Sequence, residues 1–253
     1  MDDLVMKRSV RILSIILSLI VMQKEASPQA TQRDLTGQVT VFNAGYSGNN
    51  TADLLARIDK DVFSHKPQLV ILLIGTNDML NERNRLTMAE FERNYRKLIR
   101  NIKRSSRLVL MTIPPVNSGY IVKRKPQLNF TGNEPEELVD SANAVIKRLA
   151  FRNHCTLIDL HKILTGCGGS NVSKESLFQN EANSGIDDGV HPTYDGYRVI
   201  ASAVFQTIRT KWPRAVRIVC FGDSITFGYR MKGAGSSHGR SYPGILQAMF
   251  EDS

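Results

Sequence analysis

The sequence predicts an α/β protein, a parallel five-stranded sheet covered by helices on both faces, and three observations predict it. Five short apolar runs alternate with segments in which apolar residues recur at three and four, the mark of strands feeding helices that pack back onto a sheet. At 253 residues, 42% hydrophobic and 23% charged, the chain can bury the full core of a single domain. No internal repeat or low-complexity block interrupts the alternation.

The amino end differs from the rest. Lys7, Arg8 and Arg11 precede the run Ile12 to Met22, broken only by Ser14 and Ser18, and a polar stretch from Gln23 to Asp34 follows. That run is shorter than the roughly 20 residues a bilayer span needs, but it suits a secretory h-region behind a positive flank. Residues 1–30 are therefore expected to be a signal peptide or export segment, and 31–253 one domain, secreted or periplasmic. Asp2 and Asp3 oppose the positive flank, which makes Met6 the more usual start. No small-x-small cleavage site follows, since Ala26 has Lys24 and Ala30 has Pro28 at minus three; an uncleaved anchor or a buried first strand stays open.

The expected strands are Gln38–Asn43, Leu69–Ile74, Arg107–Ile113, Thr156–Leu160 and Val216–Phe221. Between them a helix follows Asn50-Thr51. Others carry Phe91, Tyr95, Leu98 and Ile102; Leu138, Ala142, Val145, Ile146 and Leu149; and Tyr197, Ile200, Ala201, Val204 and Ile208 on their buried faces. A last helix runs from about Tyr242 to Phe250. The long, polar, glycine-containing segments Asn117–Pro135 and Gly166–Gly185 are expected to be site-lining loops. Of the three cysteines, Cys155 with Cys167 is the pair to test for a disulfide. The formal charge of +9 comes from scattered residues without aromatic stacking platforms, which argues against a nucleic-acid partner.

Four segments carry chemistry. Val216–Phe221 runs into Gly222-Asp223-Ser224, placing a hydroxyl at the carboxyl end of a strand, where open α/β sheets hold ligands. Thr226 stands where G-x-S-x-G needs its second glycine, so this is not the α/β-hydrolase elbow. Two further strand ends give Asn43-Ala44-Gly45-Tyr46-Ser47-Gly48 and Gly75-Thr76-Asn77-Asp78. Each alone is a turn sequence. Together, on strands about 4.8 Å apart, they can aim the Gly45 amide and the Asn77 side chain at one oxygen. The last is Asp188-Gly189-Val190-His191. Of five histidines only His191 has a carboxylate three residues earlier, a spacing that a tight turn closes into an Asp–His hydrogen bond. His154 and His161, near Cys155 and Asp159, straddle a strand and make a poor metal site.

These four blocks resemble the motif blocks of the GDSL/SGNH hydrolase superfamily of esterases and lipases over nearly all of the chain after residue 35. The resemblance implies a three-layer α/β/α, flavodoxin-like fold and a role for each residue. Ser224 would be the nucleophile, His191 the general base and Asp188 its orienter. The Gly45 amide, the Asn77 side chain and the Ser224 amide would form the oxyanion hole, with no metal or organic cofactor. One departure is large: the serine block, first in that family, is last here, as in a circular permutation. With Val216–Phe221 central and Gln38–Asn43 and Leu69–Ile74 beside it, all three catalytic strand ends would be neighbours, and Ser253 would lie near Thr31–Gly37. The expected substrate is a small-molecule or oligosaccharide ester, with carbohydrate O-acetyl groups preferred. A lysophospholipase or thioesterase, and a non-catalytic carbohydrate-binding module, are the alternatives. Oligomeric state is not legible.

Overall fold

A computed structural model of the protein describes residues 38–128, 130 and 134–253; the expected export segment lies outside them. The elements run β1 (Thr40–Gly45), α1 (Thr51–Asp61), β2 (Leu69–Leu73), α2 (Thr76–Leu80), α3 (Met88–Ile102) and β3 (Arg107–Met111). They continue through α4 (Ser118–Arg124), α5 (Pro135–Arg152), β4 (Thr156–Ile158), α6 (Leu160–Gly166), α7 (Glu181–Ser184) and α8 (Tyr194–Lys211). β5 (Arg217–Gly222), α9 (Ser224–Phe227) and α10 (Tyr242–Glu251) close the chain.

The strands form one sheet in the order β1-β5-β2-β3-β4, every pair parallel. The last strand in sequence is thus inserted between the first two, as expected of Val216–Phe221. A parallel strand inside a sheet is buried on both faces, and β2, Leu-Val-Ile-Leu-Leu, has no exposed residue. Its alternation sorts the core into two halves. Val70 and Leu72, with Val219 and Phe221 of β5, pack against Leu54 of α1, Phe91, Tyr95 and Leu98 of α3, and Ile146 and Leu149 of α5. Leu69, Ile71 and Leu73, with Ile218 and Cys220, pack against Leu164 of α6, Tyr197, Ile200 and Val204 of α8, and Leu246 of α10. The sheet lies between these two helical layers, the α/β/α architecture.

The long helices begin where their caps dictate. Asn50 accepts the amides of Ala52 and Asp53 and starts α1; Thr87 and Glu90 form a reciprocal capping box at α3. After α8 the chain turns through Trp212, whose carbonyl accepts the Ala215 amide, and enters β5 directly. β1 begins and ends two residues later than expected. β4 stops at Ile158 because Asp159 accepts the Lys162 amide and caps α6. The expected loops at 117–135 and 166–185 contain the short helices α4 and α7, capped by Asn117 and Asn180. Cys155, Cys167 and Cys220 are all free, so the expected pair is not bonded. No helix among the described residues is long and apolar enough to cross a membrane.

Candidate active site

Parallel strands in register end together, and this aligns the site. Gly222 of β5 is paired with Gly45 of β1 on one side and with Leu73 of β2 on the other. The segments that leave these three positions are the glycine turn, the Gly-Asp-Ser turn and the Gly-Thr-Asn-Asp turn. At Gly222 the chain turns sharply: Asp223 accepts the Ile225 amide at 3.0 Å and caps the single turn α9, which places Ser224 at its first position. The approach is so close that a Cβ on Gly45 would stand 2.1 Å from the Phe227 amide nitrogen, and one on Gly222 would stand 2.2 Å from the Leu73 carbonyl oxygen. Only glycine fits either position.

The fourth segment reaches the same place from the far end of the sheet. Gly189, at φ +67°, closes the turn from Asp188 to His191. The Asp188 carboxylate is 3% exposed, and its Oδ1 accepts the backbone amides of Val190 at 2.9 Å and His191 at 2.8 Å. Its Oδ2 lies 2.9 Å from His191 Nδ1. On the opposite edge of the ring, His191 Nε2 is 2.9 Å from Ser224 Oγ. An Nδ1 proton held by the carboxylate leaves Nε2 as the acceptor of the Ser224 hydroxyl proton. Burial alone would raise the Asp188 pKa; the His191 hydrogen bond and charge, with the two backbone amides, outweigh it and hold the group down to about 2. The segments expected to line the site brace this turn from behind: the Asn117 amide and the Ser170 hydroxyl both donate to the Gly189 carbonyl, and Arg124 donates to that of Asp188.

Asn77 is the second residue of α2, and its Nδ2 donates one proton to the Asn49 carbonyl at 2.9 Å, leaving the second for another acceptor. Asp78 anchors that turn by accepting the Thr51 hydroxyl and amide at the start of α1. The Gly45 amide donates to Asn43 Oδ1 at 3.0 Å, and its missing side chain lets β1 approach the turn behind Ser224. Gly48 lies three residues on. It sits next to the Asn49 carbonyl that Asn77 holds, has φ +81° with open space at its Cβ position, and its amide has no acceptor among the described residues. Tyr229 lies against the His191 ring, centroids 4.8 Å apart, and is solvent-exposed, as are Tyr46 and Tyr194.

A hydroxyl, an imidazole and a buried carboxylate in hydrogen-bonded line, with an unspent Asn77 N–H on the turn that follows the neighbouring strand, is an arrangement suited to acyl transfer. A model of the GDSL-like lipase/acylhydrolase family matches residues 24–199. The chain belongs to this family. Its reaction class is the hydrolysis of carboxylic esters. The GDSL match ends ahead of the Gly-Asp-Ser block at 222–224. An acetylxylan esterase of Geobacillus stearothermophilus is 28% identical over 183 residues, covering 70% of this chain and 75% of the relative. The uncharacterized lipoprotein YqeF of Bacillus subtilis is 27% identical over 184 residues, covering 66% and 73%. Among solved structures, a lipase/acylhydrolase from Enterococcus faecalis superposes with a TM-score of 0.52 at 25% identity, over 65% of this chain and 72% of that one.

Proposed function

We propose that this GDSL-family hydrolase is an exported carbohydrate O-acetyl esterase that works through an acyl-enzyme on Ser224. The observation that carries the reading is the line from Ser224 Oγ through the His191 ring to Asp188, with both outer contacts 2.9 Å long. Ser224 attacks the ester carbonyl while His191 Nε2 takes its proton, and Asp188 stabilises the imidazolium. The oxyanion meets the second Asn77 Nδ2 proton, the Ser224 amide at the head of α9 and, in place of Gly45, the amide of Gly48. His191 then returns the proton to the departing sugar oxygen. Water, activated by the same imidazole, attacks the acyl carbon and frees acetate. No step calls for a metal or an organic cofactor.

The carbohydrate preference is supported by the relative named as an acetylxylan esterase and by the exposed ring of Tyr229 against His191, with Tyr46 and Tyr194 also exposed. Tyrosine faces suit the apolar faces of a sugar, and their hydroxyls its rim. Export is supported by the basic, then apolar, composition of residues 7–22 and by the similarity to a lipoprotein. The order of the blocks fits a permuted chain. Gln247 of α10 donates to the Val39 carbonyl at 3.0 Å and accepts the Val41 amide at 2.7 Å, so the last helix already lies beside the first strand.

The test is a screen of acetylated xylo-oligosaccharides against p-nitrophenyl esters of increasing acyl length, with Ser224→Ala as control. Preference for acetyl, lost in the variant, is expected. Rates that climb with acyl length would move the protein to the lipolytic side of the family, and full activity in Ser224→Ala would remove the nucleophile assignment. The permutation is tested separately by placing Val216–Ser253 ahead of Gln38–Ala215 through a short Gly/Ser linker. That chain is expected to fold and hydrolyse; an inactive, unfolded product would count against the proposed order.

A further inference from the structure

Arg57, on α1, touches none of the reacting groups, yet its guanidinium joins the segments that carry them. Nη2 donates to the Gly222 carbonyl at 2.8 Å, across 165 positions of sequence, and Nη1 donates to the Ala44 carbonyl at 3.0 Å. Nε donates to the Asn49 side-chain oxygen at 2.7 Å, and Nη1 also meets the Asp61 carboxylate at 2.9 Å. The guanidinium lies over the rings of Tyr46 and Phe221, with centroids 4.6 and 4.7 Å away. The group is largely buried, and a buried cation is tolerated only when its donors are matched; here a fixed planar fork meets two strand-end carbonyls, an amide oxygen and a carboxylate.

Asn49 makes this more than a structural staple. Its side-chain oxygen is held by Arg57, and its own backbone carbonyl holds Asn77 Nδ2 at 2.9 Å. A continuous chain therefore runs from Gly222, two residues ahead of Ser224, through Arg57 and Asn49 to the Asn77 amide. We infer that Arg57 is a positioning residue: it fixes the distance between the Ser224 turn and the Asn77 amide, so that the donor is aimed at the oxyanion before the substrate arrives. Lysine keeps the charge but not the fork, so it cannot hold Gly222, Ala44 and Asn49 at once. The inference rests on the oxyanion role proposed for Asn77.

The experiment is a double-mutant cycle on the full chain with p-nitrophenyl acetate, using Arg57→Lys, Asn77→Ala and the two combined. Arg57→Lys is expected to lower kcat by about 10–100-fold, the scale of a misplacement near 1 Å, with KM unchanged within about twofold. If Arg57 acts through Asn77, the double variant falls little below Asn77→Ala alone; fully multiplicative losses overturn the inference. Asn49→Ala, which cuts only the link and leaves Arg57 on its two carbonyls, is expected to show a smaller kcat loss with the same coupling. This second variant keeps the question answerable should Arg57→Lys fold poorly. Wild-type kcat in either Arg57→Lys or Asn49→Ala overturns the inference while leaving the Asn77 role standing. Wild-type kcat in Asn77→Ala overturns the oxyanion reading first, and this inference with it.

Discussion

Replacing Asp188 by asparagine changes a single atom and should invert the chemistry of the site. Asp188 Oδ1 accepts two backbone amides, and an asparagine oxygen in that place keeps both bonds. The amide nitrogen then occupies the position of Oδ2, 2.9 Å from His191 Nδ1, and donates where the carboxylate accepted. The favoured tautomer becomes the one protonated on Nε2, the atom 2.9 Å from Ser224 Oγ, and the imidazole can no longer take the serine proton. The expected loss in kcat is about 10⁴-fold, with KM for p-nitrophenyl acetate nearly unchanged. Stability also falls. The Asp188 pKa drops from an ordinary 3.8 to about 2, and the difference, at about 1.36 kcal/mol per unit, makes the carboxylate worth about 2 kcal/mol at neutral pH. For a domain of this size that is roughly 4–8 °C in Tm, an upper bound since the backbone bonds survive. Steady-state kinetics with thermal melts on the same samples separate the two effects. A variant that keeps more than about a tenth of wild-type kcat would refute the tautomer reasoning.

Further expectations follow from neighbouring residues. Asn77→Ala should lower kcat about 10²–10³-fold in steady-state assays, with a smaller effect on stability. Gly45→Ala should destabilise the protein severely in denaturant melts, because its Cβ would stand 2.1 Å from the backbone nitrogen of Phe227, which cannot move without displacing Ser224. The pH dependence of stability has two arms. Asp188, with its pKa depressed, stabilises the fold above pH 3.8, and this is lost as pH falls toward about 2. Asp223 and Asp78 behave oppositely: burial raises them to about 7 and about 6, so their contribution is present at low pH and is lost as pH rises through those values. Melts between pH 5 and 9 should show the wild-type Tm falling more steeply than that of Asp223→Asn; parallel curves would contradict it.

Much of this was legible in the sequence, because burial on both faces of a parallel strand and on one face of a long helix leaves a direct pattern. Leu69–Leu73 and the repeat Phe91, Tyr95, Leu98, Ile102 are of that kind. The Asp188–His191 pairing was legible too, since three residues with a glycine between them admit few geometries. The short helices were not: Ser118–Arg124 and Glu181–Ser184 span two turns or fewer, too little to display a period of 3.6. What separates Gly45 from Gly48 was not legible for a related reason. Both are glycines in one turn, and only the strand register shows that Gly45 is still paired with Gly222 and faces the polypeptide rather than the cleft. Arg57 left no signal at all. An arginine in the middle of an amphipathic helix reads as surface, and its acceptors on Gly222 and Asn49 are set by tertiary structure alone.

The central claim is that the Ser224 hydroxyl is activated by His191. Labelling the intact protein with a fluorophosphonate and mapping the adduct by peptide mass spectrometry tests it most directly. One adduct is expected, on the peptide containing Ser224, absent from Ser224→Ala and strongly slowed in His191→Ala. Ester hydrolysis that continues with Ser224 unlabelled, or an adduct on a different side chain, would contradict it.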